Sequence, residues 1–298
     1  MPAISIDGLT KRYGPLTAVS NLRLEVAEGE ILGFLGLNGA GKTTTIRILL
    51  DLLRPTCGRA SIFGQDCQGN SLAARALVGY LPSELGLYTD LTGYDVLQLL
   101  GKLSPRPVDP AYLGGLQERL ALPERDLRRK LREYSSGMKR KLGILQAFQS
   151  DPPLLILDEP TEGLDPLMQE AFYQLLADVR QRGRTVFFSS HVLSEVERVC
   201  ERVALLRQGE LVLDSTVEAC RILAARTVRA VFRADVAAPG ALPSAEVVEV
   251  SPRTWVLRVK GPLGPLLQEL NAMPLEDLHI SEAKLEDAVR HFYAGDQQ

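Results

Sequence analysis

The sequence predicts an α/β chain interrupted by a helical lobe and followed by a small α+β appendage. Three observations predict it. An apolar run, residues 31–35, meets a Gly-rich turn and then an apolar spacing of helical period in residues 45–50. Two further apolar runs, 154–157 and 185–190, end in polar residues, as strands of an open parallel sheet do. Ahead of both, residues 83–142 change texture and place apolar residues at helical intervals.

The elements follow in order. Residues 3–6 and 22–26 alternate and turn in the manner of strands. Between them Tyr13 precedes a Gly14-Pro15 turn, which puts it on a surface. An exposed aromatic there is ordinary surface cover or a stacking platform for a purine ring. The run at 31–35 then enters Gly36-Leu37-Asn38-Gly39-Ala40-Gly41-Lys42-Thr43-Thr44. Glycines let the backbone curl so that successive N–H groups converge on one point. The following helix adds free donors and its positive dipole end. Lys42 brings a mobile point charge for outer phosphates, and the Thr43 hydroxyl is placed to ligate Mg²⁺. Strand, glycine turn and helix together make this a phosphate-binding loop.

Residues 54–58 form a turn, 59–64 a strand, and 77–82 a buried strand stopped by Pro82. The helical lobe holds helices around 94–100 and 113–122, parted by a Pro-rich loop at 104–110. Its basic run, residues 125–141, contains Arg128, Arg129, Lys130, Arg132, Lys139, Arg140 and Lys141. Acidic residues are interleaved nearby, so these read as solvated helix faces rather than a nucleic-acid surface. The strand at 154–157 delivers Asp158 and Glu159, a metal anchor and a base at the edge where open sheets bind ligands. A turn at 163–166, a helix at 167–181 and a strand at 185–190 follow, and the last delivers His191. Residues 203–206 and 211–213 make a hairpin. Beyond about residue 224 come strands at 228–232, 246–250 and 254–259, a Pro/Gly/Ala loop at 235–244, and helices at 263–273 and 282–293. In the last helix Leu285, Ala288, Val289 and Phe292 share one face. This appendage has no catalytic constellation of its own.

Composition narrows the functional classes. The chain has 298 residues, 45% of them apolar, with 34 Lys+Arg against 37 Asp+Glu for a net charge of −3. That balance gives no broad attraction for DNA or RNA, and no nucleic-acid partner is expected. The start lacks a basic region followed by an apolar one, and no stretch is long and apolar enough to span a bilayer. The polypeptide is expected to be soluble, with any membrane role supplied by a partner. Cys57, Cys67, Cys200 and Cys220 are scattered without a C-x-x-C pair and are expected to be reduced thiols.

Tyr134-Ser135-Ser136-Gly137-Met138 resembles the signature motif of ATP-binding cassette (ABC) proteins. With the phosphate loop, the Asp158-Glu159 pair, the Gly163-Leu164-Asp165 turn and His191 in this order, the resemblance covers roughly residues 3–220. The remainder is similar to the C-terminal extension of ATPase subunits of bacterial drug-exporter-type transporters, mainly through Leu285-Glu286-Asp287. The resemblance implies a P-loop NTPase cassette over residues 1–224, with an antiparallel β subdomain and a helical subdomain at about 84–140, and an accessory α+β domain over 225–298. It implies ATP and Mg²⁺ as cofactors. Tyr13 stacks on adenine; Asn38, Gly39, Gly41, Lys42, Thr43 and Thr44 hold phosphates, with Thr43 and Asp158 serving the metal. By the same resemblance Glu159 would be the general base and His191 the γ-phosphate sensor, Ser135 and Gly137 would reach the nucleotide of a second copy, and Asp165 would sit at the dimer seam. It implies a homodimer beneath separate membrane permease subunits, at the cytoplasmic face of the membrane. Rival readings are export of lipid, polysaccharide or a maturation factor, and a soluble cassette ATPase acting on ribosomes or DNA. The chain departs from the family pattern twice. Ser83 stands at the usual Gln position, with Glu84 after it, and the signature has Ser136 where Gly is common.

Overall fold

The computed structural model of the chain describes residues 1–86, 88–223, 226–239, 242, 245–259, 261–281, 285–286 and 289. The chain divides into two compact units, Met1–Asp214 and Ser215–Gln298; the change of texture read from the sequence falls at about residue 224.

The first unit opens with β1 (Ile4–Tyr13) and β2 (Leu16–Val26), an antiparallel hairpin with Tyr13 opposite Leu16. β1 runs well past the strand expected at 3–6. Its pairing with both neighbours shifts register between Ile6 and Thr10, around Gly8 at φ +60°. That bulge interrupts the alternation a sequence reading depends on. β3 (Ile31–Leu35) is buried throughout and enters the glycine loop and α1 (Lys42–Leu49). β4 (Cys57–Ile62) pairs antiparallel with β1, and β5 (Gln65–Asp66) with β4, giving the sheet order β2-β1-β4-β5. The short α2 (Ser71–Arg75) leads to β6 (Val78–Leu81).

The helical lobe holds α3 (Gly93–Leu103), α4 (Pro110–Arg119), α5 (Glu124–Leu127), a 3-10 turn at Leu131–Glu133, and α6 (Ser136–Phe148). Thr92 and Asp95 form a reciprocal capping box on α3, and Asp109 caps α4. The chain returns through β7 (Leu154–Asp158), α7 (Pro166–Gln181), β8 (Thr185–Ser190), α8 (Leu193–Val199), β9 (Arg202–Arg207) and β10 (Glu210–Thr216). The second sheet has the order β10-β9-β3-β8-β7-β6, with parallel pairing from β9 through β6. β3, β7 and β8 are buried at every residue, which is why they read as unbroken apolar runs. Phe34 of β3 and Phe187 of β8 meet at 4.9 Å between ring centroids in the core beneath α1.

In the second unit, α9 (Val217–Leu223) precedes β11 (Arg226–Phe232), β12 (Glu246–Ser251), β13 (Thr254–Val259), α10 (Gly264–Asn271) and β14 (Leu275–Ile280). The antiparallel order is β12-β13-β11-β14, over a separate core in which Phe232 and Trp255 pack at 4.8 Å with Leu266 and Leu270 of α10. β14 is unannounced in the sequence because an edge strand tolerates charge, and Glu276, Asp277 and His279 mask its period. The helix expected at 282–293 lies outside the described residues except Leu285, Glu286 and Val289; Leu285 and Val289 are buried. Parts of the loop at 235–244 also lie outside them. No helix among the described residues is long and apolar enough to cross a membrane.

Candidate active site

The parallel register builds the site. Asp158 ends β7 beside Ser189 of β8, and Leu35 of β3 lies beside Ser190. The glycine loop, the Asp158-Glu159 pair and His191 therefore emerge at one carboxyl edge. They enclose a cleft of about 310 Å³ lined by Ala18, Leu37, Asn38, Gly39, Gly41, Lys42, Thr43, Thr44, Ser83, Glu159, Glu162 and His191. A larger hollow of about 590 Å³ contains the ion pairs Arg23–Asp7 and Arg202–Asp214 and has no glycine loop in its lining, so chemistry and not size selects the smaller cleft.

The loop needs its glycines. Gly41 has φ +107°, and a Cβ there would stand 2.4 Å from the carbonyl oxygen of Ala18. A Cβ on Gly36 would stand 2.6 Å from the Leu206 carbonyl oxygen. The Lys42 ammonium is buried, donates to the Gly36 carbonyl at 2.5 Å and lies 3.3 Å from Glu159 Oε1. Thr43 Oγ1 donates to Asp158 Oδ2 at 3.0 Å, and Ser189 Oγ donates to Asp158 Oδ1 at 2.9 Å. A buried carboxylate thus stands beside a hydroxyl at the head of α1. That oxygen-only donor set suits a hard divalent cation that takes its other ligands from phosphates and water. Among the described residues no three His, Cys, Asp or Glu side chains form a protein-only metal cluster.

Glu159 follows β7 in the left-handed region, φ +50°. Its carboxylate is held from two sides, by Lys42 and by His191 Nδ1 at 2.8 Å from Oε2. An ionised carboxylate only accepts, so this contact is a hydrogen bond donated by the imidazole when its ring hydrogen is on Nδ1. The arrangement places a basic oxygen, a phosphate-seeking ammonium and a metal-capable pair within one cleft. That set is suited to attack of water on a phosphoryl group.

Five expected site residues are not among those lining this cleft, one of them Asp158, which lies buried against Thr43 and Ser189. Tyr13 lies at the β1–β2 turn, 47% exposed, with the Lys11 ammonium 5.0 Å over its ring. Ser135 caps α6, its Oγ accepting from Met138 N at 3.2 Å. Gly137 faces the backbone of Gly163, where an added Cβ would lie 3.2 Å from the carbonyl oxygen. Asp165 caps α7, accepting from Met168 N at 2.9 Å. Of the two residues in doubt after β6, Ser83 lines the cleft; Glu84 is exposed and does not.

The expectation of solvated faces for the basic run needs one correction. Arg128 pairs with Glu124 and Arg129 with Asp126 and Glu133 at the surface, but Arg140 is buried, 4% exposed. Burial pulls its pKa down, while the carboxylates of Glu162, Asp158 and Glu159 push the other way. Sequence spacing gave no sign of it, because a run of cations looks alike until the helix is packed. Glu195 is likewise buried, accepting from Thr161 Oγ1 at 2.6 Å and Ser190 Oγ at 2.9 Å, one residue before His191. The cysteines are free thiols, Cys57 exposed and the other three buried; burial, with Asp66 and Asp51 nearby, raises the Cys67 pKa to about 12.

A family model described as ABC transporter matches residues 19–162. The bacitracin transport ATP-binding protein BcrA of Enterococcus faecalis is 39% identical over 217 residues, 72% of this chain and 69% of that protein. The daunorubicin resistance ATP-binding protein DrrA3 of Streptomyces coeruleorubidus is 35% identical over 218 residues, 72% and 69% of the two chains. Across such curated relatives the chain spans between 56% and 70% of their own length, and 61% of a cyanobacterial one from Nostoc. Among solved structures, the dimeric structure of MJ0796, a bacterial ABC transporter cassette, superposes with a TM-score of 0.66 at 25% identity, covering 72% of this chain and 98% of that one.

Proposed function

The chain belongs to the ABC transporter family, and on that footing we propose that it is the ATP-hydrolysing subunit of a drug- or antibiotic-type exporter. Two copies close around two ATP molecules and drive separate membrane-spanning permease subunits from the cytoplasmic face. The glycine loop from Asn38 to Thr44 wraps the phosphates. Lys42 releases Glu159 to engage them, and Glu159 takes a proton from the attacking water. His191 contacts the γ-phosphate and senses its loss. Thr43 and Asp158 hold Mg²⁺, which neutralises charge on the transferred phosphoryl group. Adenine stacks on Tyr13 at the open end. Ser135, Gly137 and Asp165 serve the partner copy, with the head of α6 aimed at its γ-phosphate. The helical subdomain at about 84–140 grips the permease, and the region from about 225 onward is an accessory domain.

One observation carries the two-chain reading. The cleft of a single chain contains the phosphate loop, base and sensor, whereas Ser135 and Gly137 lie outside it at the exposed head of α6. The dimeric cassette among the structural relatives supports the same arrangement. The names of BcrA and DrrA3 support antibiotic-type cargo. The test is Glu159→Gln with ATP and Mg²⁺ in analytical ultracentrifugation. Turnover should nearly cease while a stable dimer accumulates, since the cradle remains and the base is gone. A chain that binds ATP yet stays monomeric would falsify the composite site.

A further inference from the structure

A guanidinium has five N–H donors in one plane, and the structure supplies Arg140 with five carbonyl acceptors. Nε donates to Pro160 O at 3.0 Å, Nη1 to Pro82 O at 2.7 Å and Ser83 O at 3.2 Å, and Nη2 to Asp158 O at 3.1 Å and to Glu159 O. Two of these carbonyls follow β6 and three end or follow β7. A buried cation without a direct carboxylate contact is costly unless every donor is used, and here every donor is used. One of the residues whose carbonyl it takes has a left-handed backbone: Glu159, φ +50°. A non-glycine residue holds that conformation only when its surroundings impose it.

We propose that Arg140 is the positioning residue for the general base: by gathering the carbonyls of Pro82, Ser83, Asp158, Glu159 and Pro160 it sets the Glu159 backbone and aims its carboxylate into the cleft. The inference rests on Glu159 being the base. It has a structural corollary. Ser135 caps the helix whose second turn carries Arg140. A shift of α6 against the sheet therefore pulls on the Glu159 turn and on Ser83 together. The helix that faces a partner's nucleotide holds the base of its own site. Lysine cannot substitute, because its three donors radiate from one atom and cannot span acceptors set around a planar fork.

The test uses the full chain with Arg140→Lys, Glu159→Gln and the double variant. Readouts are affinity for a fluorescent ATP analogue, melting temperature and single-turnover ATP hydrolysis. Arg140→Lys should keep nucleotide affinity within about 3-fold and lose about 10- to 100-fold in hydrolysis rate, the scale of a misaimed catalytic group. Added to Glu159→Gln it should cause no further loss, because it acts through a carboxylate already removed. Wild-type turnover in Arg140→Lys, or an undiminished additional loss in the double variant, overturns the proposal. Parallel loss of affinity, melting temperature and turnover makes Arg140 a structural tie and also overturns it. If Arg140→Lys does not fold, Arg140→Gln is read by the same criteria, and failure of both to fold counts as the structural tie. Normal hydrolysis by Glu159→Gln alone would instead remove the premise that Glu159 is the base; slow Glu159→Gln beside normal Arg140→Lys would remove only this inference.

Discussion

Lys42 and Glu159 face each other at 3.3 Å, both largely out of solvent. Removing Lys42 strips the cleft of its ammonium and leaves Glu159 to repel incoming phosphate. Lys42→Ala should therefore lose nucleotide affinity by at least about 10-fold, equivalent to ~1.4 kcal/mol, together with hydrolysis; titration with a fluorescent nucleotide measures the first. Normal hydrolysis in that variant would make the glycine loop irrelevant to chemistry. The thiols behave in the opposite way, through neutrality. Cys67 is held protonated by burial, with its pKa raised from 9.0 to about 12. A thiol whose folded pKa lies above its unfolded value favours the fold fully below about pH 9, and that contribution fades as pH rises from 9 towards 12. Ellman's reagent at pH 8 should then label the native chain rapidly at Cys57 alone, and all four thiols after denaturation. Fast labelling of a second thiol would contradict the burial.

Caps and close approaches matter at the scale of elements. Ser135 begins α6 as its cap, and on the proposed function it also faces a partner's phosphate. Loss of the cap costs about 1 kcal/mol of stability. Loss of a transition-state contact costs about 10²–10³ in rate. Ser135→Ala should show both, with single-chain nucleotide affinity nearly unchanged; a melting shift with no rate effect would leave only the cap. Gly41 is constrained more tightly, by its φ of +107° and by backbone 2.4 Å from any Cβ. Gly41→Ala should abolish nucleotide binding and lower the melting temperature, because neither atom in the clash is the end of a flexible side chain. Isothermal titration with ATP checks it.

Across the whole molecule, the described residues include two separate apolar cores, one under the sheets around Phe34 and Phe187, one around Trp255. Calorimetry of the Glu159→Gln chain should resolve two transitions. Saturating ATP should raise only that of the unit holding the cleft, by about 2.7 kcal/mol of stability at 100 times Kd. A single transition raised as one by ATP would show that the two cores melt together.

The sequence by itself determined the parallel strands, the phosphate loop and the placement of Asp158, Glu159 and His191, because interior strands are apolar without break and their ends are the only polar residues such runs deliver. Order along the chain then sufficed to name the family. It did not reveal β14, whose edge position lets charged residues hide the period, nor the length of β1, whose bulge at Gly8 breaks it. Only the tertiary structure decided that Arg140 is buried while Arg128 and Arg129 are not, and that Ser135 and Gly137 stand apart from the cleft that holds Lys42. The physical reason is the same in each case. Burial, and the set of carbonyls a guanidinium can reach, depend on segments 18 to 58 residues away in the chain, and local spacing carries no record of them.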